Sequence, residues 1–160
     1  MFGFKKKKAT NELLAPTNGE VVELSETNDP VFSTGAMGQG FGLGPTDGTI
    51  YAPVTGKITL VAETKHAIGF ETTDGLQVLV HLGIDTVELK GKGFDLPVTA
   101  GQEVNAQDKL GTMDLEQIKT AGYQTTVLTV ITNSSDLDLN LNVTTGMTTA
   151  GQAVTVIEKK

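Results

Sequence analysis

The chain has 160 residues, no cysteine, two histidines and a formal net charge of −7. Its twelve basic residues are all lysines, so we expect no nucleic-acid partner, because binding to a phosphate backbone depends on clustered positive charge. The missing cysteines exclude disulfides and a thiol nucleophile, and no apolar run approaches the roughly 20 residues of a membrane-spanning helix. We therefore expect one globular domain in the cytoplasm.

Residues 1–12 contain two phenylalanines and four consecutive lysines. We predict that they form a mobile basic tail, and that residues 13–160 form a single β-domain. Each lysine near an anionic membrane contributes about 1 kcal/mol, so the tail has the chemistry for weak membrane contact at most.

Short β-branched and apolar runs, separated by Gly, Pro, Asn and Asp, dominate the rest of the chain. This pattern is typical of an all-β protein, and we predict an antiparallel β-sandwich or barrel with at most one or two short helical turns. The only segment with helical character is Asp114 to Ala121. The predicted strands are Gly19 to Leu24, Gly48 to Ala52, Lys57 to Thr64, His66 to Thr72, Leu76 to Leu82, Thr125 to Thr132 and Ala153 to Glu158.

A glycine-rich stretch, Gly35 to Gly44, lies between the first two predicted strands. It is not a phosphate-binding P-loop, because no Gly-Lys-Ser/Thr ending and no helix start follow it. Its alternating glycines and apolar residues instead predict a flat surface loop. Ala36, Met37 and Phe41 then offer an adaptable apolar contact to a partner.

Two short sequence repeats indicate a duplicated β-motif. Ala15-Pro-Thr-Asn-Gly19 recurs as Ala52-Pro-Val-Thr-Gly56, and Thr99-Ala-Gly-Gln-Glu-Val104 recurs as Thr149-Ala-Gly-Gln-Ala-Val154. Each match can arise from turn chemistry alone, since Pro fixes φ and Gly accepts a positive φ. Their paired occurrence favours a duplicated hybrid motif folded around one core.

His66 and His81 lie on predicted neighbouring strands joined at an Asp-Gly pair, which is a strong hairpin signal. With a two-residue turn at Asp74 and Gly75 the histidines are diagonal neighbours, and with a four-residue loop they stand directly opposite. Both loops bring the imidazoles to the same face, with Cβ atoms roughly 5 to 8 Å apart. A three-residue loop reverses the parity and separates the rings.

Each histidine also has an informative local setting. His81 ends an apolar strand, where burial favours the neutral imidazole that can act as a nucleophile. Thr64 lies two residues before His66, so strand alternation places its hydroxyl on the same face within hydrogen-bonding reach. Two ordinary strand histidines, satisfied by backbone or water, are the alternative interpretation. The convergence of the chain's only two histidines favours a functional pair.

The residues around His81 also resemble a known family. The segment Gly75-Leu-Gln-Val-Leu-Val-His81-Leu-Gly-Ile-Asp-Thr-Val87 is similar to the phosphorylation-site signature of glucose-class enzyme IIA of the bacterial phosphoenolpyruvate-dependent sugar phosphotransferase system. Gln39 departs from the aspartate of many relatives, which leaves partner preference open. Further matches are Asp29-Pro-Val-Phe32, Gly38-Gln-Gly40, Ala52-Pro-Val-Thr-Gly56, Thr64-Lys-His-Ala67, Glu88-Leu-Lys-Gly-Lys-Gly-Phe94 and Thr129-Val-Ile-Thr-Asn133.

The resemblance implies a phosphoryl relay. His81 would take a phosphoryl group on Nε2 while a backbone carbonyl near Gly83 holds Nδ1, and His66, oriented by Thr64, would donate to the phosphate. The histidine-containing phosphocarrier protein would supply the group, and a cysteine of a sugar-specific IIB domain would receive it. The implied partner surface is a shallow apolar depression with an acidic rim, formed by Phe32, Ala36, Met37, Ala62, Leu79, Asp85, Val87 and Glu88.

Two other functions remain compatible with these residues. The resemblance allows a regulatory role, in which the unphosphorylated apolar face binds metabolic enzymes or permeases. Two histidines and Asp85 are also ligand types that suit a zinc hydrolase, and lysostaphin-type peptidases are similar in having a duplicated β-motif. The chain has no His-x-His pair and no obvious third ligand with a general base nearby. We therefore expect no cofactor, with a zinc ion shared by His66 and His81 as the remaining option.

Overall fold

The computed structural model describes residues 12–159, and in that range it contains fourteen β-strands, one α-helix and three short 310 turns. The predicted tail lies outside the described residues, except that Glu12, its last residue, begins the first strand. The strands are β1 (Glu12–Leu14), β2 (Gly19–Glu23), β3 (Gln39–Pro45), β4 (Thr49–Tyr51), β5 (Gly56–Val61), β6 (Ala67–Glu71), β7 (Gln77–Ile84), β8 (Phe94–Asp95), β9 (Glu103–Val104), β10 (Lys109–Met113), β11 (Gln124–Ile131), β12 (Leu139–Val143), β13 (Gly146–Thr148) and β14 (Ala153–Lys159). The helix α1 is Leu115–Thr120, and the 310 turns are Leu24–Glu26, Phe32–Thr34 and Thr86–Leu89.

The described strands form three sheets, and their pairings are antiparallel. The largest sheet has eight strands in the order β13-β2-β3-β11-β7-β6-β5-β9. The other two have three strands each, β1-β14-β12 and β4-β10-β8. Side chains from all three sheets, such as Leu13, Ile50 and Val80, meet in one buried apolar cluster. The prediction of an antiparallel all-β sandwich is confirmed.

Each predicted strand overlaps a strand of the structure, and the predicted helical segment contains α1. Asp114 caps this helix by accepting a hydrogen bond from the Gln117 amide at 3.0 Å. Together with α1, the three 310 turns exceed the one or two helical turns that we expected. Among residues 12–159, no helix has the length and apolar character needed to cross a membrane.

The prediction of a surface loop for the glycine-rich stretch is wrong for its second half, which forms the internal strand β3. Phe41 has none of its surface exposed, so it belongs to the core and is not a partner contact. The glycines let β3 lie close to its neighbours: a Cβ on Gly40 would come within 1.9 Å of the Thr129 carbonyl oxygen. Glycine in this strand therefore reflects close backbone approach.

The first predicted repeat is a structural duplication. Its two Ala-Pro loops exchange equivalent backbone hydrogen bonds. The Leu14 N–H donates to the Pro53 carbonyl at 3.1 Å, and the Tyr51 N–H donates to the Pro16 carbonyl at 2.8 Å. The adjoining strands are equivalent as well, because β1 pairs with β14 as β4 pairs with β10, with register shifts at corresponding places. The two halves are therefore related by an approximate twofold axis.

The second predicted repeat reflects a shared type of turn and not the duplication of the fold. In both copies a glutamine Oε1 accepts a hydrogen bond from the amide of the threonine three residues earlier, at 3.3 and 3.0 Å. Equivalent hydrogen bonds in the two halves of the fold come from segments that the repeat does not match. The Gly151 N–H donates to the Ala15 carbonyl, and its equivalent in the other half is the Gln107 N–H, which donates to the Ala52 carbonyl. The two copies of this repeat therefore occupy non-equivalent places in the fold.

The eight-stranded sheet carries apolar side chains on both faces. Alternation along β7 directs Val78, Val80 and Leu82 into the main core. The intervening residues, Leu79 and His81, point to the opposite face. That face bears a second apolar cluster of buried residues, namely Leu24, Phe32, Ile84, Leu128 and Val130.

Thr129 provides a test of how this core is packed. It stands opposite Val80 on the core side of β11, fully buried, and its Oγ1 has no hydrogen-bond partner among the described residues. Because an unsatisfied buried hydroxyl is unfavourable, Thr129→Val should raise the free energy of unfolding by about 1 kcal/mol, measured by urea denaturation. The matched control is Thr72→Val, which should lower stability, because the Thr72 hydroxyl bonds to Asp74 and to the Leu76 amide. Destabilisation by Thr129→Val would contradict this view of the core.

Candidate functional site

His81 stands in β7, on the side of the sheet that carries the second apolar cluster. Its Nδ1 lies 2.7 Å from the Gly83 carbonyl oxygen. A carbonyl can only accept a hydrogen bond, so Nδ1 carries the proton and, in the neutral ring, Nε2 carries the free lone pair. The hydrogen bond therefore presents Nε2 as the nucleophilic atom.

Gly83 holds its carbonyl in place through a backbone conformation that suits glycine. Its φ of 85° lies in the left-handed region. An added Cβ would lie 2.5 Å from the Thr86 Cγ2 and 2.9 Å from the Gln124 carbonyl oxygen. A side chain at this position would therefore displace the backbone that orients His81.

The loop between β6 and β7 has three residues, so the prediction of an even-length loop is wrong. Thr72 and Leu76 close it: the Thr72 N–H donates to the Leu76 carbonyl at 3.0 Å, and the Gly75 N–H donates to the Thr72 carbonyl at 3.1 Å. The Thr72 hydroxyl also accepts a hydrogen bond from the Leu76 amide at 3.0 Å. Gly75 takes a φ of 90°, the left-handed conformation that a three-residue hairpin loop needs at its last position.

The three-residue loop changes the register without separating the histidines. Ala67 stands opposite His81, so regular alternation would send His66 to the other face. His66, however, precedes β6 and belongs to the β5–β6 loop, where Lys65 has a φ of 59°. The ring centroids of the two histidines are 5.0 Å apart and their planes are inclined by 74°. The rings meet as predicted, but the loop and not the sheet brings them together.

Thr64 contacts the second histidine directly. Its Oγ1 lies 2.5 Å from His66 Nδ1. Their spacing predicted this contact, although the two residues lie in a turn and not in a strand. Hydrogen bonding at Nδ1 leaves His66 Nε2 available to a group placed beside His81.

Burial lowers the pKa of both imidazoles below the ordinary histidine value. For the pKa of His66, desolvation is the larger cause and the neighbouring His81 is the smaller one. Desolvation also lowers the pKa of His81, against the opposing effects of the Gly83 hydrogen bond and the charges of Asp29 and Asp85. Both rings are therefore predominantly neutral at neutral pH, which is the form that can act as a nucleophile.

An apolar surface lies against His81. The Phe32 ring centroid is 5.2 Å from that of His81, with the planes tilted by 56°. Met37 and Leu79 are half-buried and pack against the second apolar cluster, of which Phe32 is a part. These three residues of the predicted partner surface are thus brought together on the face that bears His81.

The other five residues predicted for the partner surface lie in loops and in the 310 turn after β7. Val87 exposes 45% of its surface, and Asp85 acts on His81 through its charge. Their contact with a partner stays a prediction. Ala62 is half-buried. The other four are exposed, namely Ala36, Asp85, Val87 and Glu88.

Residues 11–137 match the family described as phosphoenolpyruvate-dependent sugar phosphotransferase system, EIIA 1. The chain belongs to this family. As an EIIA component it is a phosphotransferase component, which agrees with a site where the Nε2 lone pair of a histidine is left free.

Individual relatives carry EIIA names. The chain is 40% identical over 139 residues to the glucose-specific EIIA component of Staphylococcus epidermidis, covering 86% of this chain and 84% of that protein. It is 42% identical over 152 residues to the glucose-specific EIICBA component of Streptococcus pneumoniae, covering 95% of this chain and 21% of the relative. It is 44% identical over 120 residues to the beta-glucoside-specific EIIBCA component of Bacillus subtilis, covering 75% of this chain and 20% of the relative. The chain thus spans about a fifth of the length of these two longer relatives.

The fold is also that of a solved EIIA structure. Glucose permease IIA from Mycoplasma capricolum superposes with a TM-score of 0.80 at 36% sequence identity, over 98% of this chain and 99% of that one. The resemblance to glucose-class enzyme IIA, first indicated by the residues around His81, is confirmed for both family and fold.

Asp29 is a buried charged residue of this EIIA site that the sequence reasoning did not single out. Its Oδ1 accepts hydrogen bonds from the Val31 and Phe32 amides, both at 2.9 Å, and only 8% of the residue is exposed. It thereby fixes the turn that carries Phe32 against His81. The Asp-Pro pair formed with Pro30 is a turn-initiation signal that could have drawn attention to it.

The EIIA site does not contain the ligands of a catalytic zinc centre. Among the residues that the structure describes, no group of three or more His, Asp or Glu side chains is placed to hold a metal ion. Catalytic zinc usually has three protein ligands, so the alternative of a zinc hydrolase has no support. A zinc ion shared by His66 and His81 with another molecule stays a prediction.

The lowered histidine pKa values predict that this EIIA domain loses stability on mild acidification. Unfolded histidines have a pKa of about 6.5, so just below that value the unfolded chain binds more protons than the folded one. Stability is therefore fully present above about pH 6.5 and falls as the pH drops further. Urea unfolding across this range should show the decline, and His81→Gln should reduce its slope. An identical slope in the variant would contradict the burial argument.

Proposed function

We propose that the chain is a cytoplasmic phosphoryl relay protein. His81 accepts a phosphoryl group from the histidine-containing phosphocarrier protein and passes it to a cysteine of a IIB domain during coupled sugar uptake and phosphorylation. The observation that carries the proposal is the pair of imidazoles 5.0 Å apart, one of which has its lone pair fixed on Nε2. Membership of the EIIA family supports the reaction class.

In the first step, the Nε2 lone pair of His81 forms an N–P bond while the N–P bond of the phosphocarrier's histidine breaks. No proton has to leave the nucleophile, because the hydrogen bond to Gly83 keeps the ring proton on Nδ1. Such a transfer leaves the protein little covalent chemistry to perform, so catalysis consists of positioning and electrostatic stabilisation.

Phosphorylation changes the charge of the His81 ring. With Nδ1 protonated and Nε2 bonded to phosphorus the ring is cationic. The Gly83 carbonyl and the charges of Asp29 and Asp85 favour this cationic ring, just as they oppose the lowering of the His81 pKa by burial. When the IIB cysteine forms its S–P bond and the N–P bond breaks, the ring departs as a neutral imidazole, which is a good leaving group. The same surroundings therefore serve acceptance and donation.

His66 is the proposed stabiliser of the phosphoryl oxygens. In this proposal the Thr64 hydroxyl donates to His66 Nδ1, and the ring proton then sits on Nε2, which donates to an oxygen on the phosphorus beside His81. A donor aimed at developing charge in a partly buried site lowers the barrier by more than it would in water.

The proposed docking surface combines an apolar centre with an acidic rim. Phe32, Met37 and Leu79 form the centre, and the exposed Asp85 and Glu88 form the rim. Because this chain has no arginine, a guanidinium for the phosphoryl oxygens has to come from the partner, and the acidic rim favours such a basic partner. The names EIICBA and EIIBCA of two relatives join the A component to B and C components, which supports a IIB domain as the receiver.

A regulatory role accompanies the relay in this proposal. Phosphorylation adds a phosphoryl group of about −1.5 to −2 charges, which the cationic ring offsets only in part, and it does so at an apolar surface, where it changes the affinity for metabolic enzymes or permeases. Pull-downs with phosphorylated and unphosphorylated protein should therefore recover different partners. Identical recovery in both states would contradict the regulatory role while leaving the relay intact.

Incubation with enzyme I, the phosphocarrier protein and labelled phosphoenolpyruvate tests the relay. The natural protein should gain acid-labile, base-stable phosphate at a single histidine, and His81→Gln should gain none. His66→Gln should still be phosphorylated but should transfer to a IIB domain about 100-fold more slowly, as for other lost donors to developing charge. Equal loss at both positions would contradict this division of roles, and full labelling of His81→Gln would overturn the choice of nucleophile.

A further inference from the structure

The loop between β5 and β6 carries both Thr64 and His66. Two backbone hydrogen bonds define it: the Ala62 N–H donates to the Ala67 carbonyl at 3.0 Å, and the Lys65 N–H donates to the Ala62 carbonyl at 2.8 Å. Lys65 has a φ of 59°, in the left-handed region that residues with a Cβ rarely adopt. The loop therefore closes through an unfavourable backbone conformation at the residue between the two functional side chains.

His66 lies where the chain departs from the strand, and the conformation of Lys65 determines how Thr64 is placed against it. Ala67 is the residue that pairs with His81, so an extended continuation of β6 would direct His66 to the opposite face of the sheet. The chain leaves the extended conformation at Lys65, and the His66 carbonyl accepts a hydrogen bond from the Leu82 amide at 2.6 Å. In this loop the ring centroid of His66 lies 5.0 Å from that of His81.

The duplicated half of the fold contains a related turn at the equivalent place. The Gly38 N–H donates to the Gly35 carbonyl at 3.0 Å, as Lys65 does to Ala62, and Gly38 also has a positive φ, of 118°. Gly38 directly precedes β3, which occupies the place equivalent to β6. The fold thus uses an unusual positive φ at this point in both halves, and glycine can supply it.

We propose that Lys65 is a positioning residue for phosphoryl transfer, whose left-handed backbone, and not its ammonium group, sets Thr64 and His66 beside His81. This inference rests on the proposed function for its catalytic consequence. Lys65 acts through His66, so its effect falls on the step that His66 assists, the transfer to the IIB domain.

Substitutions at Lys65 separate backbone from charge. Lys65→Gly and Lys65→Asn remove the charge and accept a left-handed φ readily, and Lys65→Ala removes the charge at about the backbone cost that lysine already has, whereas the β-branched Lys65→Val accepts this φ least of all. Transfer to a IIB domain should stay within about twofold for Gly, Asn and Ala, and fall about tenfold for Val. Phosphorylation of His81 by the phosphocarrier should change little across the series.

The isolated protein offers a second readout that needs no phosphotransfer. Proton NMR of the two imidazoles follows their titrations, which are coupled through the ring contact and also affected by Asp29 and Asp85. The coupling between the rings should persist in Lys65→Gly and Lys65→Asn and disappear in Lys65→Val. The matched control is Gln107→Val, which disturbs another left-handed residue, of φ 78°, in the β9–β10 loop. It should lower the melting temperature without changing the coupling or the transfer rate.

The outcomes are separable. If Lys65→Asn loses transfer as severely as Lys65→Val, the ammonium group is responsible and the proposal is overturned. If Lys65→Val keeps both ring coupling and transfer, the backbone conformation is irrelevant and the proposal is likewise overturned. Should Lys65→Val fail to fold, the β-branched but smaller and polar Lys65→Thr decides by the same two readouts. Absence of phosphate on the natural His81 would overturn the proposed function, while the ring coupling would still decide the role of Lys65.

Discussion

The hydrogen bond from His81 Nδ1 to the Gly83 carbonyl is the interaction on which the chemistry of this site depends. It keeps the ring proton away from Nε2 in the neutral state, and it holds the same proton when the ring becomes cationic. The acceptor lies two residues further along the same strand, in a backbone conformation that suits glycine. One strand, β7, therefore supplies both the proposed nucleophile and the group that orients it.

Parts of the site that depend on local spacing follow from the sequence. The contact between Thr64 and His66 was predicted from their separation, and the strands around them from β-branched runs. The loop before β7 did not follow, because its Asp-Gly pair fits loops of two, three or four residues. The Thr72 hydroxyl, bonded across the loop to the Leu76 amide, favours three. The meeting of the rings was thus predicted from the wrong parity, and it occurs because His66 lies in the loop before β6 and not in the strand.

Tertiary contacts explain what local patterns left out. The glycine-rich stretch can form an internal strand because Gly40 leaves room for the Thr129 carbonyl, and a sequence pattern does not show that neighbour. Asp29 matters for a similar reason, since its capping of the Phe32 turn gains significance only from the place of that turn against His81. The duplication was visible in the Ala-Pro loops, where the two halves contact each other directly.

The two histidines differ in how firmly the fold holds their backbones. β7 is paired on both sides, by β6 and by β11, whereas His66 lies in a loop closed by a few hydrogen bonds. Amide hydrogens of such an internal strand exchange with solvent only in rare, large-scale openings, while loop amides exchange through small local fluctuations. The backbone of the proposed phosphoryl acceptor is therefore expected to open only with the sheet itself. The ring proposed to assist it lies on a backbone that is held by fewer hydrogen bonds, which would let it follow the group from one protein to the next.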